Sequence, residues 1–332
     1  MTAKSELTRR TIIKAGAATA ALLAAGPALG QAAATPARVI LITGTSSGFG
    51  RLMAEGFARR GARVVATMRK MSSRNAKAAQ EMRALAAAGL PIDVVEIDVL
   101  DDSSVQAGVA QALRLAGRID VLVNNAGIAV PGPVELQPER FFQSNLDTNM
   151  GGAIRVNKAV IPTMRSQGGG TIIQMSSALG RAIDPMLAGY CASKLAVEAA
   201  SDALSYELAS SKIEVAVVQP AGAYPTRFQE NARRYWDEIT AAPGAPDQAL
   251  LSTYAPHLEA MLKDLAPDPE LDPAEVSRAV IALAEMPFGA RPSRLTVGPY
   301  RDGLDPVNAA HDALQTDMIA HNRIVDLLTL KP

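Results

Sequence analysis

The sequence predicts an α/β fold in which helices cover both faces of one doubly wound parallel sheet. Short apolar runs with strand character alternate with helical stretches along the chain, and this alternation is typical of a parallel sheet with crossover helices. A glycine-rich turn follows the first apolar run and precedes a helix, which is the order of a nucleotide-binding βαβ unit. The 332 residues contain no internal repeat and no Pro- or Ser-rich linker in the middle, so we predict one domain over residues 38–300.

The first thirty residues differ in composition from the rest of the chain. Arg9 and Arg10 precede an uncharged, alanine-rich segment over 15–30, which is the pattern of a twin-arginine export signal. A membrane-spanning helix needs about 20 strongly apolar residues. The segment over 15–30 is shorter and consists largely of alanine and glycine, so it is a poor candidate for such a helix. We therefore predict a cleaved signal peptide over 1–30, a linker over 31–37 and a periplasmic protein without stable membrane insertion. An uncleaved tether and a chance extension of a cytoplasmic protein are the alternatives.

Residues 38–42 form a continuous apolar run that predicts a buried parallel strand. The turn that follows, residues 43–50, has glycines spaced G-x-x-x-G-x-G. Such glycines let the backbone approach a pyrophosphate, and the free N–H groups of the next helix, predicted over 51–60, favour its negative charge. Gly61 is a natural left-handed cap for that helix, and 62–67 predict the second strand.

The remaining apolar runs predict five more strands of the same sheet. They lie at 92–97, 121–124, 171–175, 215–219 and 295–297. A helical segment with three aromatic residues, Tyr235, Trp236 and Tyr254, and a loop-like stretch at 241–246 separate the last two strands. The final residues, 301–332, are predicted to be a C-terminal extension.

Composition excludes several classes of function. The chain has 33 basic and 33 acidic residues, so it has no excess of positive charge to attract nucleic acid or anionic lipid. His257, His311 and His321 have no partners at the spacing of metal ligands, and we predict no metal site. Cys191 is the single cysteine and cannot form an internal disulfide. It is either a packing residue or a reactive thiol.

Tyr190 and Lys194 are one helical turn apart and can present a phenol and an ammonium to one point. A free tyrosine has a pKa of about 10, so it needs a fixed cation nearby to act as an acid or base near neutrality. The spacing alone is weak evidence, since a pair on a helix surface has the same pattern. Ser177 strengthens it, because this hydroxyl follows the predicted strand 171–175 and can touch a substrate oxygen.

Five motifs in order give the chain a resemblance to the short-chain dehydrogenase/reductase family, from about residue 38 to 226. They are T-G-x-x-x-G-x-G at 43–50, N-N-A-G at 124–127, N-x-x-G at 149–152, Ser177, and Y-x-x-x-K at 190–194. The resemblance implies a Rossmann-type domain, a nicotinamide nucleotide as the source of hydride, and a substrate lid over 227–267. It also implies a dimer or tetramer.

The same resemblance implies a role for each catalytic residue. Tyr190 would protonate the carbonyl oxygen in reduction or deprotonate the alcohol in oxidation, and Lys194 would lower the phenol pKa and bind the nicotinamide ribose. Ser177 would hold the substrate oxygen, with Ser176 as the competing hydroxyl. Asn149 would position a water that links Lys194 to solvent, or would only bend its helix.

Cofactor preference depends on the residue that meets the adenosine ribose after the second strand. Members that prefer NAD have Asp there, whereas this chain has Met68 followed by Arg69 and Lys70. An arginine accommodates a 2′-phosphate, so we predict NADP, with NAD also possible if these two cations only form a solvated loop. Asp98 would bond the adenine amino group or simply form a turn.

Thr226 would bind the nicotinamide carboxamide, although one residue is inserted before it relative to the family pattern. Asn124 and Asn125 would secure the sheet and the adenosine side. The residues predicted to contact the nucleotide are Gly44, Thr45, Ser46, Ser47, Gly48, Phe49, Gly50, Arg69, Asp98, Val99, Asn125, Ala126, Gly127, Tyr190, Lys194, Pro220, Gly222 and Thr226.

These observations predict an NADP(H)-dependent oxidoreductase that interconverts an alcohol and a ketone or aldehyde. The aromatic residues of the lid suit an apolar substrate such as a steroid or a long aldehyde, but they also suit plain packing. An epimerase or dehydratase that uses the nucleotide transiently, and a nucleotide-binding regulatory protein, are the alternative functions.

Overall fold

The computed structural model describes residues 37–241, 247–264 and 266–321. The predicted signal peptide and residues 31–36 of the predicted linker lie outside this part of the chain, as does most of the loop-like stretch at 241–246. The described residues belong to a compact unit that begins at Ala37.

Within these described ranges, seven parallel strands form the sheet in the order β3-β2-β1-β4-β5-β6-β7. The predicted doubly wound α/β fold is therefore confirmed, and every predicted strand is present with bounds shifted by at most two residues. The strands are β1 (Val39–Ile42), β2 (Arg63–Met68), β3 (Ile92–Glu96), β4 (Val121–Asn124), β5 (Gly170–Met175), β6 (Ile213–Pro220) and β7 (Arg294–Val297).

Ten helices are described around this sheet. They are α1 (Gly48–Arg59), α2 (Ala76–Ala87), α3 (Asp102–Ala116), α4 (Glu139–Leu146), α5 (Gly152–Ser166), α6 (Ala188–Leu208), α7 (Phe228–Ala241), α8 (Gln248–Asp264), α9 (Pro273–Glu285) and α10 (Arg301–Ala320). Helix α1 begins three residues before the predicted start, inside the glycine-rich turn. Gly61 has φ +86°, so the predicted left-handed residue after α1 is confirmed.

Alternate residues of each strand face opposite sides of the sheet, and both sides are buried. Ile40 and Ile42 of β1 pack in the same cluster as Phe57 of α1 and Val280 of α9. Leu41 belongs to the cluster on the other side, with side chains of α3 and α5. Because each face is covered by helices, the strands have no polar side to expose, which explains their continuous apolar runs.

The order of the strands places a crevice at one edge of the sheet. The chain runs outward from β1 through β2 to β3 and then returns to β4 on the other side of β1. The connections that follow β1 and β4 therefore diverge at the carboxyl ends of these strands. Ligands of open α/β sheets bind at such a switch point.

Helices α7 and α8 form the described part of the lid and have a small core of their own. Trp236 and Ile239 of α7 pack with Leu258 and Met261 of α8 and with Val130, which follows β4. This cluster holds the lid beside the crevice. Among the described helices, none is both long and apolar enough to cross a membrane.

Candidate active site

A cavity of about 520 Å³ opens at the carboxyl ends of the strands. Its walls come from the turn after β1, the ends of β2, β4, β5 and β6, the first turns of α6, and the lid. Among the predicted site residues, those that line it are Gly44, Ser46, Ser47, Gly48, Phe49, Arg69, Val99, Asn125, Ala126, Gly127, Ser177, Tyr190, Lys194, Pro220, Gly222 and Thr226.

The glycine-rich turn is too tight for any side chain at two of its positions. A Cβ on Gly44, whose φ is +72°, would lie 2.9 Å from the Cα of Ala126, and one on Gly50 would lie 2.3 Å from the carbonyl oxygen of Gly44. The turn therefore presents bare backbone to the cavity at the N-terminus of α1. This arrangement fits the pyrophosphate of a dinucleotide.

Hydrogen bonds from the end of β4 hold this turn in place. The Thr43 hydroxyl accepts from the backbone N–H groups of Asn125 and Ala126 at 2.9 and 3.0 Å. In return, the Asn125 side chain donates to the carbonyl oxygens of Thr43 and Gly44 at 2.9 and 3.1 Å. Asn125 thus secures the turn as well as lining the cavity, which agrees with the structural role expected for it.

Tyr190, Ser177 and Lys194 converge at the other end of the cavity. The Ser177 hydroxyl is close enough to the Tyr190 phenol to favour its ionised form, and the Lys194 ammonium lies 5.6 Å from the centre of the Tyr190 ring. Lys194 donates to the carbonyl oxygen of Met175, at the end of β5, over 2.8 Å. Strand β5 and helix α6 therefore bring the three residues together from positions 177, 190 and 194.

Burial dominates the acid–base properties of these groups. It raises the pKa of Tyr190 above its ordinary value, and the hydrogen bond with Ser177 opposes that rise. Burial lowers the pKa of Lys194 to about 8, although the carboxylate of Glu198 favours the charged form. The lowering of the phenol pKa by Lys194 stays a prediction.

Asn149 lies in a π-helical segment, Asp147–Gly151, between α4 and α5. Its side chain donates to the Ile128 carbonyl and to the Ser193 hydroxyl at 2.9 and 2.8 Å and accepts from the Ile128 N–H at 2.8 Å. The side chain is thus fully bonded to protein and does not line the cavity. The irregular helix agrees with the structural alternative, and a role in water positioning stays a prediction.

The two adjacent serines after β5 have different partners. Ser176 donates to the carboxylate of Glu198 at 2.6 Å, and Glu198 is fully buried. Ser177 instead accepts from the N–H of Leu179 at 3.1 Å, and its hydroxyl acts to lower the pKa of the Tyr190 phenol. The geometry therefore favours Ser177 over Ser176 as the hydroxyl that faces a substrate.

The end of β2 provides the residues expected at the adenosine ribose. Met68 and Arg69 both line the cavity, and the Arg69 guanidinium is 4.0 Å from the carboxylate of Asp98. Asp98 itself does not line the cavity; its carboxylate accepts from the N–H of Leu100 at 3.1 Å.

Two predicted residues of the glycine-rich turn, Thr45 and Gly50, do not line the cavity either. The Thr45 hydroxyl instead donates to the Thr67 carbonyl at 3.1 Å.

Thr226 lies beside the glycine-rich turn despite the inserted residue before it. A Cβ on Gly48 would be 3.4 Å from the Cβ of Thr226. The start of the lid therefore contacts the turn.

Cys191 is buried with 1% of its surface exposed, and burial raises the pKa of its thiol, which disfavours a reactive thiolate.

The lid aromatics divide into two groups. Tyr235, Trp236 and Tyr254 all pack in or against the cluster that joins α7 to α8, but only Tyr235 of the three also lines the cavity. Phe228, which the sequence analysis did not single out, also lines the cavity, and its ring contacts the Tyr190 ring edge-on at 5.4 Å. Leu187 completes an apolar wall beside the phenol.

Among the described residues, four charged side chains of the cavity were also missed: Arg74, Asp184, Arg227 and Arg234. Arg227 and Arg234 are seven residues apart, which is close to two turns of an α-helix. This spacing could have predicted that both side chains lie on the same face of a lid helix. Arg74 and Asp184 lie in connecting segments, where no periodicity reports the direction of a side chain.

The family described as short chain dehydrogenase matches residues 38–235. Over 194 residues the chain is 38% identical to 3-ketodihydrosphingosine reductase of Bacteroides thetaiotaomicron; the match covers 58% of this chain and 66% of the relative. Over 264 residues it is 34% identical to retinol dehydrogenase 8 of Bos taurus, covering 76% and 81% of the two chains.

The fold is also similar to that of a solved reductase structure. Actinorhodin polyketide ketoreductase with NADPH matches with a TM-score of 0.64 and 27% identity, and the match covers 80% of this chain and 97% of that one. The glycine-rich turn and Tyr190 both lie within the residues that the family matches.

Proposed function

The chain belongs to the short chain dehydrogenase family, and from that premise we propose that it interconverts an apolar alcohol and its ketone or aldehyde with NADP(H). Its relatives are named as reductases and dehydrogenases, and the chain is an oxidoreductase that binds a nicotinamide dinucleotide. The preference for NADP(H), the apolar substrate and the roles of individual residues are the proposed part. The convergence of Ser177, Tyr190 and Lys194 on the cavity that the glycine-rich turn also lines supports these roles most strongly.

The bound nucleotide supplies or accepts the hydride. The protein transfers the proton. Tyr190 donates it to the carbonyl oxygen of the substrate in reduction and removes it from the alcohol in oxidation. Ser177 holds that oxygen next to the phenol through its hydroxyl. Both groups line the same cavity, and Ser177 is near enough to influence the pKa of the phenol, so a substrate oxygen placed between them has both partners in reach.

Lys194 positions the reacting end of the nucleotide and keeps a positive charge near the phenol. An ammonium favours the phenolate form of a neighbouring tyrosine, which makes proton transfer easier in both directions. Burial holds the Lys194 pKa at about 8, so the charge is present at neutral pH and is lost in mildly alkaline solution.

The wall beside Tyr190 supports an apolar substrate. Leu187 and Phe228 pack around the phenol, so a substrate that reaches Tyr190 lies against apolar side chains. The named substrates of the two curated relatives, 3-ketodihydrosphingosine and retinol, are consistent with this class. We propose a ketone or aldehyde attached to a hydrocarbon chain or ring system.

Arg69 supports the proposed preference for NADP(H), because it lines the cavity where an acidic residue would repel a 2′-phosphate. The test is a fluorescence titration with NADPH and NADH, followed by turnover of a panel of apolar ketones and aldehydes. Tight NADPH binding with turnover is expected. An Arg69→Ala variant should lose NADPH affinity far more than NADH affinity, and an equal loss would remove Arg69 from the 2′-phosphate site.

We further propose export through the twin-arginine route and assembly as a dimer or tetramer. Arg9 and Arg10 support the first proposal. Cell fractionation of the wild type and of a variant with both arginines changed to lysine tests it, since only the wild type should reach the periplasm. Light scattering of the purified protein measures the assembly state.

A further inference from the structure

Among the described residues, four arginines line the cavity. Arg69 and Arg74 lie in the segment between β2 and α2, and Arg227 and Arg234 lie in the lid. The two pairs come from segments more than 150 positions apart in sequence, so only the folded chain brings them together. Such a cluster in one cavity points to an anionic ligand, because arginine is the preferred partner of phosphate groups.

Of these four arginines, Arg74 has the least neutralising negative charge nearby. Among the described residues no carboxylate lies within ion-pair distance of it, and its guanidinium donates instead to the Asn231 side-chain oxygen at 3.2 Å. The Arg74 side chain is exposed, yet its pKa is lowered, first by loss of solvent and then by the charge of Arg234; the ionised Tyr235 phenol opposes this lowering, and Arg69 and Arg227 add to it. The folded protein thus keeps Arg74 among like charges, an arrangement that a bound anion would stabilise.

Arg234 faces Arg74 from helix α7. Its guanidinium lies 4.3 Å from the centre of the Tyr235 ring and pairs with Glu238. Its Nε atom is buried and has no hydrogen-bond partner among the described residues. A buried donor without a partner costs free energy, and an anion oxygen in the cavity would satisfy it.

The contact between Arg74 and Asn231 joins the two sides of the cavity. Asn231 is on α7, three positions before Arg234, and Arg74 belongs to the segment after β2. The neighbouring Asn75 donates to the Arg69 carbonyl at 2.6 Å, which holds Arg74 close to the end of β2. The end of β2 is where an adenosine ribose is met in this type of fold.

We propose that Arg74 and Arg234 bind the 2′-phosphate of NADP(H) together with Arg69, and that this phosphate ties helix α7 to the segment after β2. The inference rests on the proposed preference for NADP(H) and extends it to the lid. The lid then responds to the phosphate that distinguishes NADP from NAD, because Arg234 of α7 would be one of its partners.

The test separates the two kinds of phosphate with nucleotide fragments. Adenosine 2′,5′-diphosphate carries a 2′-phosphate and one 5′-phosphate, and ADP carries a 5′-pyrophosphate and no 2′-phosphate; both are titrated by calorimetry into the purified protein. Arg74→Gln and Arg234→Gln should each weaken 2′,5′-diphosphate binding by about tenfold or more, the scale of a lost charge-assisted hydrogen bond. ADP binding should stay within about twofold, well inside that scale.

Arg233→Gln is the matched control. Arg233 is the neighbour of Arg234 on the same helix, but it is exposed and does not line this cavity. The control removes the same charge from α7, so it measures any long-range effect of charge alone. Its affinities for both fragments should equal those of the wild type.

Trp236 provides a second readout, for the lid itself. It is the single tryptophan of the chain, it lies two positions after Arg234 on α7, and it is 7% exposed. Neither fragment contains a nicotinamide ring that would quench it. The 2′,5′-diphosphate should change the Trp236 emission in the wild type and in Arg233→Gln, and should leave it unchanged in Arg74→Gln and Arg234→Gln.

Two results would overturn the inference while leaving the proposed function intact. If Arg74→Gln and Arg234→Gln weaken ADP binding at least as much as 2′,5′-diphosphate binding, the two arginines bind the 5′-phosphates. If they weaken neither while Arg69→Ala still loses NADPH selectively, the 2′-phosphate is bound without the lid. Failure of the wild type to bind NADPH or NADH would overturn the proposed function itself.

Discussion

At the scale of single residues, the proposed reaction depends on one phenol whose surroundings are mostly apolar. Burial raises the pKa of Tyr190, so a nearby charge and a hydrogen-bonding hydroxyl have to offset the cost of forming the phenolate. Lys194 and Ser177 are the residues within reach. The chemistry therefore depends on three side chains that the rest of the chain has to hold in place.

Tyr190→Phe should remove most of the turnover while it leaves NADPH affinity nearly unchanged. The substitution deletes the proton donor and keeps the ring that packs against Phe228 at 5.4 Å. The expected loss in kcat is about 100-fold or more, the range for a removed general acid. Steady-state kinetics and a nucleotide titration measure the two effects, and near-normal turnover in the variant would exclude the mechanism.

The activity should fall in alkaline solution as Lys194 loses its proton. Its pKa is lowered to about 8, so the charged form dominates below that pH and is replaced by the neutral form above it. We expect kcat/KM for NADPH, which reports groups of the free enzyme, to decrease above about pH 8. In Lys194→Arg the cation persists, and any residual activity should lack this decrease; a decrease that is unchanged in Lys194→Arg would assign it to another group.

At the scale of structural elements, the turn between β1 and α1 depends on the absence of side chains. A Cβ on Gly50 would lie 2.3 Å from the backbone oxygen of Gly44 and 2.5 Å from the side-chain nitrogen of Asn125. The backbone oxygen belongs to the turn itself, so the clash has to move the turn and break the hydrogen bonds that Asn125 makes with it.

Gly50→Ala should therefore weaken nucleotide binding strongly and cost about 1–3 kcal/mol of stability, the range for forced overpacking. Gly61→Ala is the matched control, because a Cβ there meets no atom within 4 Å although φ is +86°. The control should lose some stability from backbone strain and keep its affinity for NADPH. Equal affinities in the two variants would show that the turn does not hold the nucleotide.

At the scale of the whole molecule, a buried ionic network ties helix α10 to the region under the active site. Glu198 of α6 lies 3.1 Å from Arg181 and 3.4 Å from Arg294 of β7. Arg294 in turn pairs with Asp202 and, at 2.7 Å, with Asp312 of α10. The residues predicted as a C-terminal extension thus begin with a helix that contributes to the folded domain.

Glu198→Ala should destabilise the whole domain by about 3–5 kcal/mol, because it leaves buried arginines without their shared carboxylate. Urea unfolding measures the change. Glu285→Gln is the comparison: it removes an exposed ion pair with Arg60, and such pairs contribute little. A small effect of Glu198→Ala would show that Asp202 and Asp312 suffice to balance Arg294.

The sequence alone determined the alternation of strands and helices, the glycine-rich turn and the pairing of Tyr190 with Lys194. Each of these depends on neighbours a few positions apart: apolar runs bury strands, glycines permit the turn, and one helical turn aligns the two side chains. These local rules were enough for the doubly wound sheet and for all seven of its strands.

Tertiary structure decided which distant side chains share one place. Arg74 and Arg234 meet across the cavity, and Glu198 takes Arg294 as its partner, only because the folded chain brings segments from separate elements together. It also turned Trp236 into the lid core and left Tyr235 in the cavity. Long-range pairing and burial fix these positions, and no local pattern in the chain encodes them.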